Sequence, residues 1–127
     1  MRRAHKELDV WKESVELATS IYNITGQFPK SEIYGLTAQM RRAAVSVPSN
    51  IAEGAARTSR REFVQFLRIS GGSLSELDTQ LVIASRLGYL SSEDCRALAA
   101  KMDSIAAKLA GLIASIRTRM EDKKDEG

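Results

Sequence analysis

YGLTAQMRRAAVSVPSNIAEG, residues 34–54, is a helix by its spacing and strains against one by its content. Leu36, Met40, Ala44 (or Ala43), Val47 and Ile51 recur every three or four residues, which lines one face of a helix. Beside that face runs a polar line: Gln39, Ser46, Asn50 and Glu53, with Ala43 among them. Pro48 stands well inside the run. It removes a backbone donor and crowds the carbonyl four residues back, so a kink is expected there. Ser46, Ser49 and Asn50 are placed to take up the freed Ala44 carbonyl. Ser31 reads as the N-cap and Gly54 as the stop. The predicted helix covers about 32–54.

Working outward, the chain before it predicts a helix over about 8–27. Leu8, Trp11, Val15, Ala18, Tyr22 and Thr25 form one stripe. Val10, Ser14, Leu17, Ile21, Ile24 and Phe28 form a second beside it. Together they are wider than one core needs, so this helix is expected to touch both its own bundle and another subunit. Phe28-Pro29 ends it, because a residue before proline is pushed out of the helical region. Downstream, Ser59-Arg60-Arg61-Glu62 is a capping box, opening a helix over about 59–87. Gly71-Gly72 lies inside that helix. Each glycine there costs about 1 kcal/mol relative to alanine, which points to close backbone approach by a neighbour, where the preceding helix kinks or where another subunit docks. Gly88 caps its end, with Leu90 closing over it. Ser91 opens the last helix, about 92–121, whose Leu98, Met102, Ile105, Leu109, Leu112 and Ile116 form a bundle seam. The charged tail EDKKDEG is expected to fray. Short connections favour antiparallel neighbours. The fold expected is all-α, an antiparallel up-down-up-down four-helix bundle, with 1–127 a single domain.

Charge is mild overall and uneven in place. The net charge is +3, yet residues 33–75 hold six arginines (Arg41, Arg42, Arg57, Arg60, Arg61, Arg68), no lysine, and two acids, Glu53 and Glu62. Guanidinium forks match phosphate oxygens, so this is a candidate nucleic-acid surface; an intersubunit ion-pair surface is the alternative. The six cannot all face one way, and Arg57, Arg61 and Arg68 make the best shared face if the helix begins early enough to include Arg57. The single cysteine, Cys95, excludes an intrachain disulfide and fits a reducing compartment. Glu7 and Asp9 interrupt the basic start where a signal peptide would turn apolar, and no apolar run reaches the ~18 residues of a membrane helix. A cytoplasmic location, away from membranes, is the expectation.

The residues offer no catalytic constellation. His5 is the only histidine, so neither a zinc cluster nor a Glu-x-x-His pair exists, and no imidazole within the bundle can serve a serine nucleophile. Phosphate loops of the GxxxxGK[ST] or GxGxxG kind are absent. No enzyme, cofactor or metal is expected. The polar line Gln39, Ser46, Asn50 and Glu53 faces Ser70, Ser73 and Glu76 of the next helix in this scheme. Burying such groups unpaired is costly. They are therefore read as a structural network, with Arg41 or Arg42 pairing with Glu76 or Glu53; a ligand pocket is the other reading.

Several stretches resemble one known family. LDVWKESVELATSIY, FPKSEIYGLTAQMRRAAVSVPSNIAEGAAR, EFVQFL, GGSLSELDTQL and the LGYL turn are similar to the 23S rRNA intervening-sequence proteins, over roughly residues 8–116. RRAAVSVPSNIAEG carries most of the resemblance. The family also includes the accessory variability determinants of diversity-generating retroelements. The resemblance implies an up-down helical bundle that assembles into a homopentamer. It also implies contact with nucleic acid, RNA or DNA, or with a protein partner through a basic surface, and it brings no catalytic residues. The function expected is a non-enzymatic, homo-oligomeric binding module associated with RNA; the alternative is an oligomeric protein-interaction scaffold without nucleic acid.

Overall fold

The structure, a computed structural model, describes residues 4–126. Among them four α-helices follow one another: α1 Asp9–Thr25, α2 Leu36–Ala55, α3 Arg60–Arg86 and α4 Ser92–Glu126. Single 3-10 turns precede α1 (Ala4–Glu7) and α2 (Lys30–Glu32). Each helix packs on the next, and α4 closes back on α1. Neighbours run antiparallel. Along α2 and α3, Val47 meets Ser70, Ser46 meets Ser73, and Gly54 meets Phe63 and Phe66. Along α1 and α4, Glu13 meets Ser104 and Lys108, and Ser20 meets Lys101.

The core follows the expected periodicities with one choice made between alternatives. In α1 the stripe Val10, Ser14, Leu17, Ile21 turns inward, joined by Thr25. The neighbouring stripe is only partly covered: Leu8, Trp11 and Ala18 are half-buried against the core, while Val15 is 37% exposed and Tyr22 46%. In α4, Leu98, Met102, Ile105, Leu109 and Ile116 are buried as the seam requires. The buried α1 hydroxyls are satisfied locally, Ser14 donating to the Val10 carbonyl at 2.6 Å and Thr25 to the Ile21 carbonyl at 2.6 Å.

Three local expectations are corrected. Ser31 does not cap α2. It lies in the 3-10 turn, and the helix starts at Leu36 after Gly35, with no side-chain cap. The intervening turn is held from elsewhere, since the Tyr89 hydroxyl donates to Glu32 Oε2 at 3.1 Å and its ring packs on Phe28 at 5.3 Å. Burial first, then the hydrogen bond and charge of Glu32, raise the Tyr89 phenol above its ordinary pKa. Second, Gly54 does not stop α2, which continues to Ala55. Third, α4 runs to Glu126, beyond the expected end near 121. The end of α3 is as expected of a glycine cap: Gly88 has φ +77°, its N–H donates to Ser85 O, and the Tyr89 N–H donates to Ala84 O. Ser59 accepts from the Glu62 N–H at 3.3 Å and caps α3.

Within the chain the close approach lies at a different glycine from the Gly71-Gly72 pair. A Cβ on Gly54 would sit 2.7 Å from Phe66 Cβ and 2.9 Å from Phe63 Cδ1. At Gly71 and Gly72 nothing comes within 4 Å. Gly54 is where α2 and α3 touch most tightly; the Gly71-Gly72 pair faces open space. Gly54→Ala is therefore expected to destabilise the fold by about 1–3 kcal/mol, since a rigid Phe66 Cβ cannot yield cheaply. Gly71→Ala is expected to stabilise by up to about 1 kcal/mol through helix propensity. Urea unfolding midpoints of the two variants check the opposite signs.

Candidate nucleic-acid interface

Two groups of arginines emerge, set by their positions along antiparallel helices. Arg41 and Arg42 lie in the first half of α2. Arg57, Arg60 and Arg61 surround the α2–α3 turn, and Arg68 lies two turns into α3. Arg42 and Arg57 are 15 residues apart, about 22 Å at 1.5 Å per residue. The six do not form one patch.

Arg41 is already occupied within the chain. It is half-buried, and its Nε donates to Thr25 Oγ1 at 2.9 Å. Its Nη2 donates to the Tyr22 carbonyl at 3.3 Å, and its guanidinium stacks over the Tyr22 ring at 4.7 Å. A cation on the last carbonyls of α1 suits the negative end of that helix. Neither Arg41 nor Arg42 pairs with Glu53 or Glu76, contrary to the network expected. Glu53 pairs instead with Arg57 at 2.9 Å, one helical turn on. Glu76 Oε1 accepts from Gln80 Nε2 at 3.3 Å. Arg41 reaches back to α1 because Thr25 and Tyr22 end that helix beside it. Thr25, placed in an apolar stripe by sequence, was the missed anchor. A hydroxyl in the last turn of α1, opposite the Arg pair in an antiparallel hairpin, was the available signal.

The rest of the polar line does come together. Gln39, Arg42, Ala43, Ser46, Ser73 and Glu76 line a groove of about 300 Å³ between α2 and α3. Ser46 and Ser73 share a hydrogen bond of 2.8 Å across it, and Asn50 Nδ2 donates to the Ser46 carbonyl and hydroxyl at 2.8 and 2.9 Å. Ser70 donates to the Val47 carbonyl just before Pro48. So Ser46 bonds to Asn50 and to Ser73, and neither Ser46 nor Asn50 bonds to the carbonyl that Pro48 frees. The groove is register-setting in character, with Glu53 outside it.

At the turn the arginines are open. Arg57 stacks over Phe66 at 4.9 Å, which places it on the α2 side of α3. Arg60, Arg61 and Arg68 are exposed. Arg61 and Arg68, seven residues apart, share a face of α3, and Arg57 is left out of it. Among the described residues the ion pairs are Arg57–Glu53 and Lys108–Glu13, so Arg60, Arg61 and Arg68 keep their guanidinium donors for solvent or a partner. Also among the described residues, no His, Cys, Asp or Glu cluster could hold a metal, and no helix is long and apolar enough to cross a membrane.

Comparison with known proteins agrees with this architecture. A family model described as 23S rRNA-intervening sequence protein matches residues 6–111. The crystal structure at 1.70 Å of a protein with unknown function from the S23 ribosomal protein family of Bacteroides thetaiotaomicron VPI-5482 is similar, with a TM-score of 0.76 and 24% identity. The likeness covers 83% of this chain and 95% of that one, and at this identity it carries the fold alone. No curated protein matches the chain.

The two neighbouring arginines separate structure from surface. Arg41→Ala is expected to cost about 1–2 kcal/mol, through two charge-assisted hydrogen bonds and a ring contact. Arg42→Ala is expected to stay within about 0.5 kcal/mol of the parent. Denaturant titration of both variants reads the difference.

Proposed function

The chain belongs to the 23S rRNA-intervening sequence protein family, and from that premise we propose a non-catalytic binding module that acts as a homo-oligomer and holds RNA by its phosphates. The observation that carries this reading is the open set of Arg60 and Arg61 at the α2–α3 turn and Arg68 two turns into α3, free of carboxylate partners among the described residues. Guanidinium groups left in solvent beside a helix start are suited to phosphate oxygens. Arg41 is excluded from the binding set, because its donors are spent on α1. Arg42 belongs to the polar groove.

A second surface supports assembly, with the homopentamer as its expected form. Val15, Tyr22, Ile33 and Val45 are between 37% and 48% exposed, and Tyr34 is 95% exposed. Val15, Ala18, Tyr22, Val45 and Pro48 share a groove of about 360 Å³ between α1 and α2. A second groove, which Arg41 and Arg42 also line, continues from Tyr22 and Val45 to Ile33 and Ala38. This is the stripe of α1 that the core leaves over. Contiguous exposed apolar surface of this kind marks a protein contact.

The test is fluorescence anisotropy of a labelled structured RNA over a salt series, with molar mass by light scattering on the same sample. Binding that weakens steeply with salt is expected, and Arg60→Ala with Arg61→Ala should lower the salt slope by about 0.9 for each phosphate contact removed. An intact oligomer that binds no RNA at low salt would overturn the RNA reading and leave the protein-interaction scaffold. Val45→Asp is expected to dissociate the assembly while circular dichroism stays helical; an unchanged mass would remove the α1–α2 face from the interface.

A further inference from the structure

The solvent face of α3 carries a straight row of cations and hydroxyls that extends the turn arginines along the whole helix. Arg61, Arg68, Ser75, Thr79 and Arg86 are all exposed. At 100° per residue they fall within ~40° of one another around the helix, and Arg68 and Arg86, eighteen residues apart, coincide after five turns. The row spans 25 residues, about 38 Å. The acids of α3, Glu62, Glu76 and Asp78, stand ~60–140° away from the members of the row. Arg86 falls outside the arginine-rich window of the sequence and enters only through the geometry of α3.

This row differs from a single-strand site in one respect. Single strands are held on aromatic platforms, on which bases stack. The aromatics of α3, Phe63 and Phe66, are half-buried and turned to Gly54 of α2, and Arg57 lies over Phe66. None lies in the row. What remains is a rigid, straight surface of guanidinium groups and the Ser75 hydroxyl that can meet phosphates and offers bases nothing to stack on; the Thr79 hydroxyl donates to the Ser75 carbonyl at 3.1 Å. A duplex meets such a straight line wherever its two backbones cross it, and about 38 Å covers roughly one helical turn of ~34–36 Å, so a stiff duplex reaches the row with both strands.

We propose that α3 binds double-helical nucleic acid along its length, through Arg61, Arg68 and Arg86, by the backbone and without reading sequence. The inference rests on the nucleic-acid reading above and goes further by naming the ligand's form and adding Arg86. Arg86 also sits in the last turn of α3, where a cation suits the helix end, so stability alone cannot test it. Val82 and Ile83, both exposed, border the row on its two sides, and a protein contact there is the competing occupant.

The experiment compares duplex RNA, duplex DNA and single strands of about 20 nucleotides, long enough to cover the row. Each is titrated by anisotropy with the parent and with Arg68→Ala, Arg86→Ala and Arg86→Lys, and each protein's mass is read by light scattering. The expected result is tighter binding of a duplex than of either single strand. Arg86→Ala and Arg68→Ala should each lower the duplex salt slope by about 0.9, and Arg86→Lys should restore most of it. Equal response to RNA and DNA duplexes would mean recognition of phosphate spacing alone; preference for RNA duplex would add its A-form geometry, and either supports the inference. A tighter single strand, or duplex binding that Arg86→Ala leaves unchanged, overturns it while leaving the turn arginines as the site. Dissociation of the oligomer by Arg86→Ala overturns it in favour of a subunit contact. Absence of binding by every probe defeats the nucleic-acid reading itself.

Discussion

The close contact between α2 and α3 is the constraint on which the rest of the bundle depends. With hydrogen alone at Gly54, Phe63 and Phe66 settle directly on the α2 backbone. Higher up the pair, Ala43 and Ala44 are buried and keep the separation small. Only at that separation can Ser70 reach the Val47 carbonyl and Ser46 reach Ser73. A serine side chain is short, so these bonds form in one register and fail in any other. The hydrophobic effect draws the helices together without choosing a register; the serines choose it. Pro48 is tolerated inside the same contact, buried beside a polar pair that organises the backbone around it.

Much of the fold could be read from spacing. The last helix needed nothing more than its apolar seam, and every member of that seam but the half-buried Leu112 is buried. The α3 boundaries were announced by chemistry at both ends, Ser59 with Glu62 at the start and Gly88 at the finish. The start of α2 was not legible, because the decisive partner is Tyr89, more than fifty residues away, which holds Glu32 in the preceding turn. A local capping preference worth about 1 kcal/mol loses to a tertiary contact of that kind.

The glycines and arginines show why the candidate site was less legible than the fold. A glycine's meaning depends on what stands opposite, and sequence alone does not say which residues of α3 face Gly54. Gly71 and Gly72 carry the same helix cost with open space outside them. Arginines have the further freedom of a long side chain. Arg41 and Arg42 are adjacent in sequence, yet the 100° between them sends one onto Tyr22 and Thr25 and the other into the polar groove. Density of charge along the chain therefore overstated the patch, and the row on α3 included an arginine that the density did not flag.

The placement of the two surfaces bears on how so mild a charge could serve nucleic acid. Net charge is +3, too little for strong attraction by a single subunit in a general field. The helices follow one another around the bundle, so the apolar α1–α2 face and the outer row of α3 lie on different sides. Subunits joined through α1 and α2 would leave α3 uncovered, and each copy would present the same row. Linked copies convert later contacts into intramolecular ones, which raises overall affinity without any new contact per subunit. On this arrangement the leftover apolar stripe of α1 and the row of α3 depend on each other: assembly multiplies a phosphate surface that is weak in one copy, and the row gives the assembly something to hold.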